Sequence, residues 1–329
     1  MGKLAGKVVV VTGAGRGIGR GVAEMMAAEG AKVVVNDPGV AMDGSGIDKA
    51  PADEVVDAIR SQGGAAVPNF DSVVSMQGGE NIIQTAVNNF GRIDVLVNVA
   101  GILRDRMIFN MTEQEWDDVI AVHLKGHFAC TKPASVLMRQ QRYGRIINFS
   151  SESGVVGNAG QANYGAAKSG IAGFTRVVAR DLGRYGVTVN CIVPRAWTRM
   201  TATLPRAPRP SGPGAAAAAS MPGDEAGAQG QPGLPSAAEF QMMQPDYVAP
   251  MTCYLATDEA WNINGQIFLV YAGTVGLQAH PVAQRTIFKP GMWTVDELKE
   301  MVPRMMAGIA NPAPPPEDLE IPGRPKAAS

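Results

Sequence analysis

The chain has 329 residues, 46% hydrophobic and 18% charged, with a formal net charge of −1. That balance excludes general affinity for nucleic acid or an anionic membrane surface, and no apolar run reaches the ~18 residues that span a bilayer. About 270 residues make an ordinary doubly wound domain, so one large core with appendages is expected.

The first apolar run, Lys7–Val11, is too short for the core of a secretion signal and has no cleavage site, so a cytoplasmic protein is expected. It belongs to the predicted strand Lys7–Thr12, followed by an amphipathic segment of helical period, Ile18–Glu29. Strand-like runs recur at Lys32–Asp37, Ala65–Asn69, Asp94–Asn98, Arg145–Ser150, Thr188–Val193 and Gln266–Val270. Between them, Glu80–Phe90 and Glu113–Leu124 again have helical period, the second with a capping box in Thr112 and Glu115. Seven strands alternating with helices predict an α/β Rossmann-type doubly wound parallel sheet, with ligands at the carboxyl ends of its strands.

Two stretches break the alternation. From Pro205 to Pro235 there are seven prolines and five consecutive alanines without apolar periodicity. A mobile insertion over residues 202–240 is therefore expected within a domain of residues 1–276. Residues 277–329 read as an extension with a short helix, Val295–Met306, capped by Thr294, and a proline-rich end after Ala310. Cys130, Cys191 and Cys253 are widely spaced, odd in number and fit no metal pattern, so reduced buried thiols and no metal are expected.

The first strand runs into Gly13-Ala14-Gly15-Arg16-Gly17-Ile18-Gly19 and directly on into a helix. Glycines there permit a tight turn and close approach of main chain to a pyrophosphate on the helix N-terminus. Asp37 closes the second strand, twenty residues beyond Gly17. A carboxylate in that position accepts hydrogen bonds from an adenosine ribose diol and repels a 2′-phosphate, which favours NAD over NADP. The competing reading makes Asp37 the start of a turn before Pro38-Gly39. Arg16 favours NADP electrostatically but has no second basic partner after Asp37. Asp71, Ser72 and Val73 end the third strand, either in contact with adenine or as an ordinary turn.

Tyr164 and Lys168 share one helix face at i, i+4 spacing, and Ser151 follows a strand thirteen residues before Tyr164. A free tyrosine has a pKa of ~10. An ammonium on the same face is expected to stabilise the phenolate, so that Tyr164 takes an alcohol proton while Ser151 holds the substrate oxygen. By itself Tyr-x-x-x-Lys is a common accident; with the glycine loop and Ser151 it is not.

These residues resemble the short-chain dehydrogenase/reductase family, over residues ~4–275 apart from the insertion. The resemblance implies an NAD(P)-dependent oxidoreductase with Ser151, Tyr164 and Lys168 as catalytic residues, Tyr164 and Lys168 also meeting the cofactor. Asn98-Val99-Ala100-Gly101 matches the stretch that steadies the central sheet and, with Pro194, borders the cofactor. Within the family the resemblance is to (3R)-hydroxyacyl-CoA dehydrogenase domains of the peroxisomal multifunctional enzyme. It rests on Val35-Asn36-Asp37, Gly101-Ile102-Leu103-Arg104-Asp105-Arg106, Val122-His123-Leu124-Lys125-Gly126 and Gly157-Asn158-Ala159-Gly160-Gln161. His123 replaces the family's catalytic asparagine, whose role falls to a main-chain carbonyl and so survives the change. Arg195 replaces the glycine of the usual Pro-Gly pair. The family's substrate lid falls where the insertion lies; Arg104 and Arg106 are candidates for acyl-CoA phosphates, or form surface ion pairs. Met107, Met111, Met200 and Met243 are candidates for an adaptable apolar pocket, with core filling as the competing reading. A small-molecule substrate, (3R)-hydroxyacyl-CoA first, and a homodimer or homotetramer follow as expectations. A dehydrogenase of bulky secondary alcohols such as steroids or cyclic terpenoids, and a non-catalytic nucleotide-sensing scaffold, stand as alternatives.

Overall fold

The computed structural model describes residues 2–41, 43–46, 48–196, 244–316, 319, 321 and 322. The expected insertion over 202–240, with Met200 and Met243, lies outside the described residues. Described residues divide into two compact units, 2–196 with 244–279, and those from 280 onward.

In the first unit the strands are β1 (Val8–Thr12), β2 (Lys32–Asn36), β3 (Ala65–Asn69), β4 (Val95–Asn98), β5 (Gly144–Phe149), β6 (Val187–Pro194), β7 (Ile267–Tyr271) and β8 (Thr274–Leu277). They form one sheet in the order β3-β2-β1-β4-β5-β6-β7-β8, parallel except where β8 pairs antiparallel with β7. The sequence predicts seven strands; the sheet has eight. β8 is four residues at the sheet edge, half-buried on alternate positions and interrupted by Gly276, so no β-branched run announces it.

The helices are α1 (Gly17–Ala28), α2 (Ala50–Ser61), α3 (Met76–Phe90), α4 (Glu113–Ile120), α5 (Gly126–Gln141), α6 (Glu152–Val155), α7 (Ala162–Gly183) and α8 (Ala249–Ala256). A valine-rich strand such as β1 is buried on both faces because helices cover both. Val9 and Val11 pack with Val22 and Met26 of α1 and Val55 and Ile59 of α2. Val8 and Val10 face the other way, onto Ile82 and Ile83 of α3 and Met138 of α5. The buried Asp94 is reconciled with this core by the Val8 N–H at 2.9 Å and the Arg92 guanidinium at 2.7 Å.

Glu113–Leu124 is not one regular helix. α4 stops at Ile120, and a π turn, Ala121–Lys125, joins it to α5. The Thr112–Glu115 capping box is present. All three cysteines are buried and free. No helix among the described residues is long and apolar enough to cross a membrane.

The second unit contains α9 (Val295–Met306), capped reciprocally by Thr294 and Glu297. Lys289 pairs with Glu297, and Arg285 donates to the carbonyls of Met305 and Ala307.

Candidate active site

The strand order reverses between β1 and β4, and a cleft of about 340 Å³ opens there at the carboxyl ends of the parallel strands. Its wall begins with the glycine loop. Gly13 has a φ of +67°, and a Cβ there would stand 2.7 Å from the Ala100 Cα. A Cβ on Gly19 would lie 2.1 Å from the Gly13 carbonyl oxygen, so loop and helix start touch main chain to main chain. The N-terminus of α1 has no side-chain cap, and its first N–H groups are available to an anion.

Asp37 binds across this loop. Its Oδ2 accepts from the Gly15 N–H at 2.9 Å and its Oδ1 from the Gly39 N–H at 2.7 Å. The turn before Gly39 is therefore present, and Asp37 also lines the cleft. Arg16 also lines the cleft, with its guanidinium 3.6 Å from the carboxylate of Asp48.

Gly13, Arg16, Gly17, Ile18, Gly19, Asp37, Ser72, Val73, Ala100, Gly101, His123, Ser151, Tyr164, Lys168 and Pro194 all line the cleft. Gly15, Asp71 and Asn98 are not among its lining residues. Asp71 accepts from Asn69 at 2.8 Å and Asn81 at 2.9 Å. Asn98 donates to Asn148 at 3.0 Å and to Thr131 at 3.3 Å inside the sheet.

Ser151 is the N-cap of α6, where its hydroxyl accepts from the Ser153 N–H at 3.3 Å. Tyr164 lies on the first turn of α7. The approach to that helix is held by Asn163, which donates to the carbonyls of Arg104 and Glu115, and by Gln161, which donates to Asp105. Burial pushes the Tyr164 phenol up to about 12, while a hydrogen bond with Ser151 pulls the other way. The lowering expected from Lys168 does not prevail. The Lys168 ammonium is 5.5 Å from the centre of the tyrosine ring and donates instead to the Phe149 carbonyl at 2.7 Å. Burial brings Lys168 itself down to about 8.

His123 lies in the π turn and is 1% exposed. Its Nε2 is 2.8 Å from the Ile102 carbonyl, and its ring meets Tyr164 edge-on at 5.1 Å. A Cβ on Gly101 would come within 2.3 Å of this imidazole, which explains the glycine. The main-chain carbonyl of His123, where the sequence resemblance locates the residue's role, is met at 2.6 Å by Nδ1 of His127.

Arg195, between the lining residues Pro194 and Ala196, forms a two-pronged ion pair with Glu152 and also lies over the ring of Tyr271. Arg104 pairs with Asp118 at 3.2 Å and Arg106 with Glu115 at 2.9 Å, so ion pairing describes both. Sequence reasoning did not single out Phe149, which acts through its main chain, nor Glu152 or His127. A histidine four residues after His123 was the visible signal for the last.

The sequence profile of the short chain dehydrogenases matches residues 7–208. The hydroxyacyl-CoA dehydrogenase ChsB1 of Mycobacterium tuberculosis is 40% identical over 314 residues, 93% of this chain and 90% of that protein. The peroxisomal multifunctional enzyme type 2 of Drosophila melanogaster is 52% identical over 196 residues, covering 60% of this chain; the match spans 32% of that longer protein. The crystal structure of a short chain dehydrogenase from Mycobacterium avium superposes with a TM-score of 0.76 at 40% identity, covering 95% of this chain and 99% of that one.

Proposed function

The chain belongs to the short-chain dehydrogenase/reductase family, and from that premise we propose that it oxidises (3R)-hydroxyacyl-CoA to 3-oxoacyl-CoA with NAD. As a member of that family it is an oxidoreductase acting on hydroxyl groups with a nicotinamide cofactor. The observation that carries the dehydrogenase chemistry is the meeting of Ser151, Tyr164 and Lys168 in one cleft with the glycine loop.

The residues fit a dinucleotide. Gly13 and Gly19 leave no room for a side chain where a pyrophosphate approaches, and the start of α1 is uncapped. Asp37 offers a carboxylate to a ribose diol, and Arg16, already facing Asp48, is a poor partner for a 2′-phosphate. Both features favour NAD. The bound dinucleotide supplies the acceptor for hydride leaving the carbinol carbon and, through its oxidised ring, a positive charge in the cleft.

The protein's own groups handle the proton. Ser151 donates its one hydroxyl proton to the substrate oxygen and holds that oxygen beside the phenol. Tyr164 takes the hydroxyl proton as the carbonyl forms. Because burial holds its phenol near 12, positive charge is needed to make it a base at neutral pH, and the Lys168 ammonium provides part of it. The ring of His123 packs edge-on against Tyr164. The acyl-CoA reading draws its support from the names of the relatives, ChsB1 among them. Initial rates with (3R)- and (3S)-3-hydroxyacyl-CoA, a free bulky secondary alcohol, NAD and NADP test it. Preference for the (3R) thioester and NAD is expected; turnover of the free alcohol alone would replace the substrate assignment.

A further inference from the structure

One buried titratable side chain beside the site has no part in the chemistry described: His127, on the first turn of α5 and 2% exposed. Its Nδ1 is 2.6 Å from the carbonyl oxygen of His123, and its Nε2 is 3.4 Å from the main-chain N–H of Phe149. A carbonyl only accepts and an amide N–H only donates, so the neutral Nδ1–H tautomer suits these two contacts, the short one to His123 above all; the main chain of Asn98 is a third polar neighbour of the ring. Burial and the charge of Lys168 press the ring the same way, bringing it down to about 3.

The two main-chain groups held are not ordinary ones. His123 lies in the π turn whose ring packs on Tyr164. Phe149 is the residue whose own carbonyl binds the Lys168 ammonium at 2.7 Å. One imidazole therefore grips the strand end that carries the lysine's anchor and the turn that backs the tyrosine. We propose that His127 is a positioning residue, a neutral donor–acceptor clamp that sets Lys168 against Tyr164. The proposal rests on the reading of Tyr164 and Lys168 given above. Other titratable groups around the clamp are His123, Cys191 on β6 beside Lys168, and Asp105 toward Tyr164.

His127→Phe fills the space but leaves the His123 carbonyl and the Phe149 N–H without this partner. His127→Asn and His127→Gln keep one donor and one acceptor. With (3R)-3-hydroxyacyl-CoA and NAD, the phenylalanine variant should lose roughly ten- to a hundredfold in kcat, the scale of moving a reacting group by up to ~1 Å. With the ammonium displaced, the phenolate loses support, so the rising limb of its kcat–pH profile should move up by roughly one pH unit. One of the two carboxamide variants should recover most of both effects. A merely structural role would lower the yield of folded enzyme and leave the limb in place. An unmoved limb, or carboxamides no better than phenylalanine, would overturn the proposal. The 15N NMR signals of the His127 ring in the wild-type protein should show the neutral Nδ1–H tautomer throughout the neutral range; an Nε2–H tautomer or a charged ring would overturn it equally. If wild-type enzyme turns over no hydroxyacyl-CoA, the substrate reading fails, and the ring tautomer still decides this one.

Discussion

Replacing Lys168 by methionine should change how stability depends on pH, and the sign follows from burial. Lys168 is 3% exposed, and burial lowers its pKa from 10.5 to about 8. Below pH ~8 the folded and unfolded chains both hold the proton, and the folded state carries the full cost of a buried charge. Between ~8 and ~10.5 the unfolded chain still holds the proton that the folded chain has released, so wild-type stability rises with pH through that window. At ~1.4 kcal/mol for each tenfold in proton affinity, the gain across the window is about 3 kcal/mol. Methionine has no such titration. It also leaves the Phe149 carbonyl without its Lys168 partner, a loss of ~1–3 kcal/mol that does not vary with pH. Urea unfolding of both proteins from about pH 7 to pH 10 gives the difference, in which groups that do not interact with Lys168 cancel. Wild type should gain about 2.5 kcal/mol on the variant between about pH 7 and pH 10. A difference constant with pH, or one moving the other way, would show that Lys168 is not a buried ammonium at neutral pH.

If NAD is the cofactor proposed above, Asp37→Ala should raise kcat/KM with NADP relative to NAD by roughly tenfold or more, because a carboxylate lining the cleft that would repel a 2′-phosphate is removed; kcat/KM for the two cofactors reads it. Gly19→Ala should cost most of the NAD affinity, since its Cβ would overlap the Gly13 carbonyl at 2.1 Å, and NADH fluorescence titration measures the loss. Phe128 and Val136 on α5 and Val177 on α7 are 44%, 43% and 59% exposed. Apolar residues so placed fit a two-fold helix interface, and light scattering at micromolar concentration should give a dimer or tetramer rather than a monomer.

The parts of the fold that could be read in advance are those where burial acts on side chains at a regular period. Val8–Val11 is buried on both faces and therefore announces its strand. β8 is half-exposed at an edge, and nothing in Thr274–Leu277 compels a strand until β7 is there to pair with it. The π turn escaped because Glu113–Leu124 keeps a helical period through it; one widened turn does not alter which residues are apolar. At the cleft, the motif residues were visible as residue types at set spacings. Their main-chain partners were not. The anchor of Lys168 is the carbonyl of Phe149, and a carbonyl has no letter in a sequence. His127 was visible as a letter, yet its meaning depends on two main-chain groups brought to it from the π turn and from β5. Asn98 lies inward, on Asn148, a contact between strands that are fifty residues apart in the chain.

The central claim is that Tyr164 removes the hydroxyl proton, and Tyr164→Phe tests it most directly. The substitution removes one oxygen and keeps the ring that packs against His123. With NAD saturating, kcat should fall by at least roughly a hundredfold, the scale of general-base catalysis, while NADH binding measured by fluorescence stays within a few-fold of wild type. Turnover close to the wild-type rate by a correctly folded variant would contradict the account.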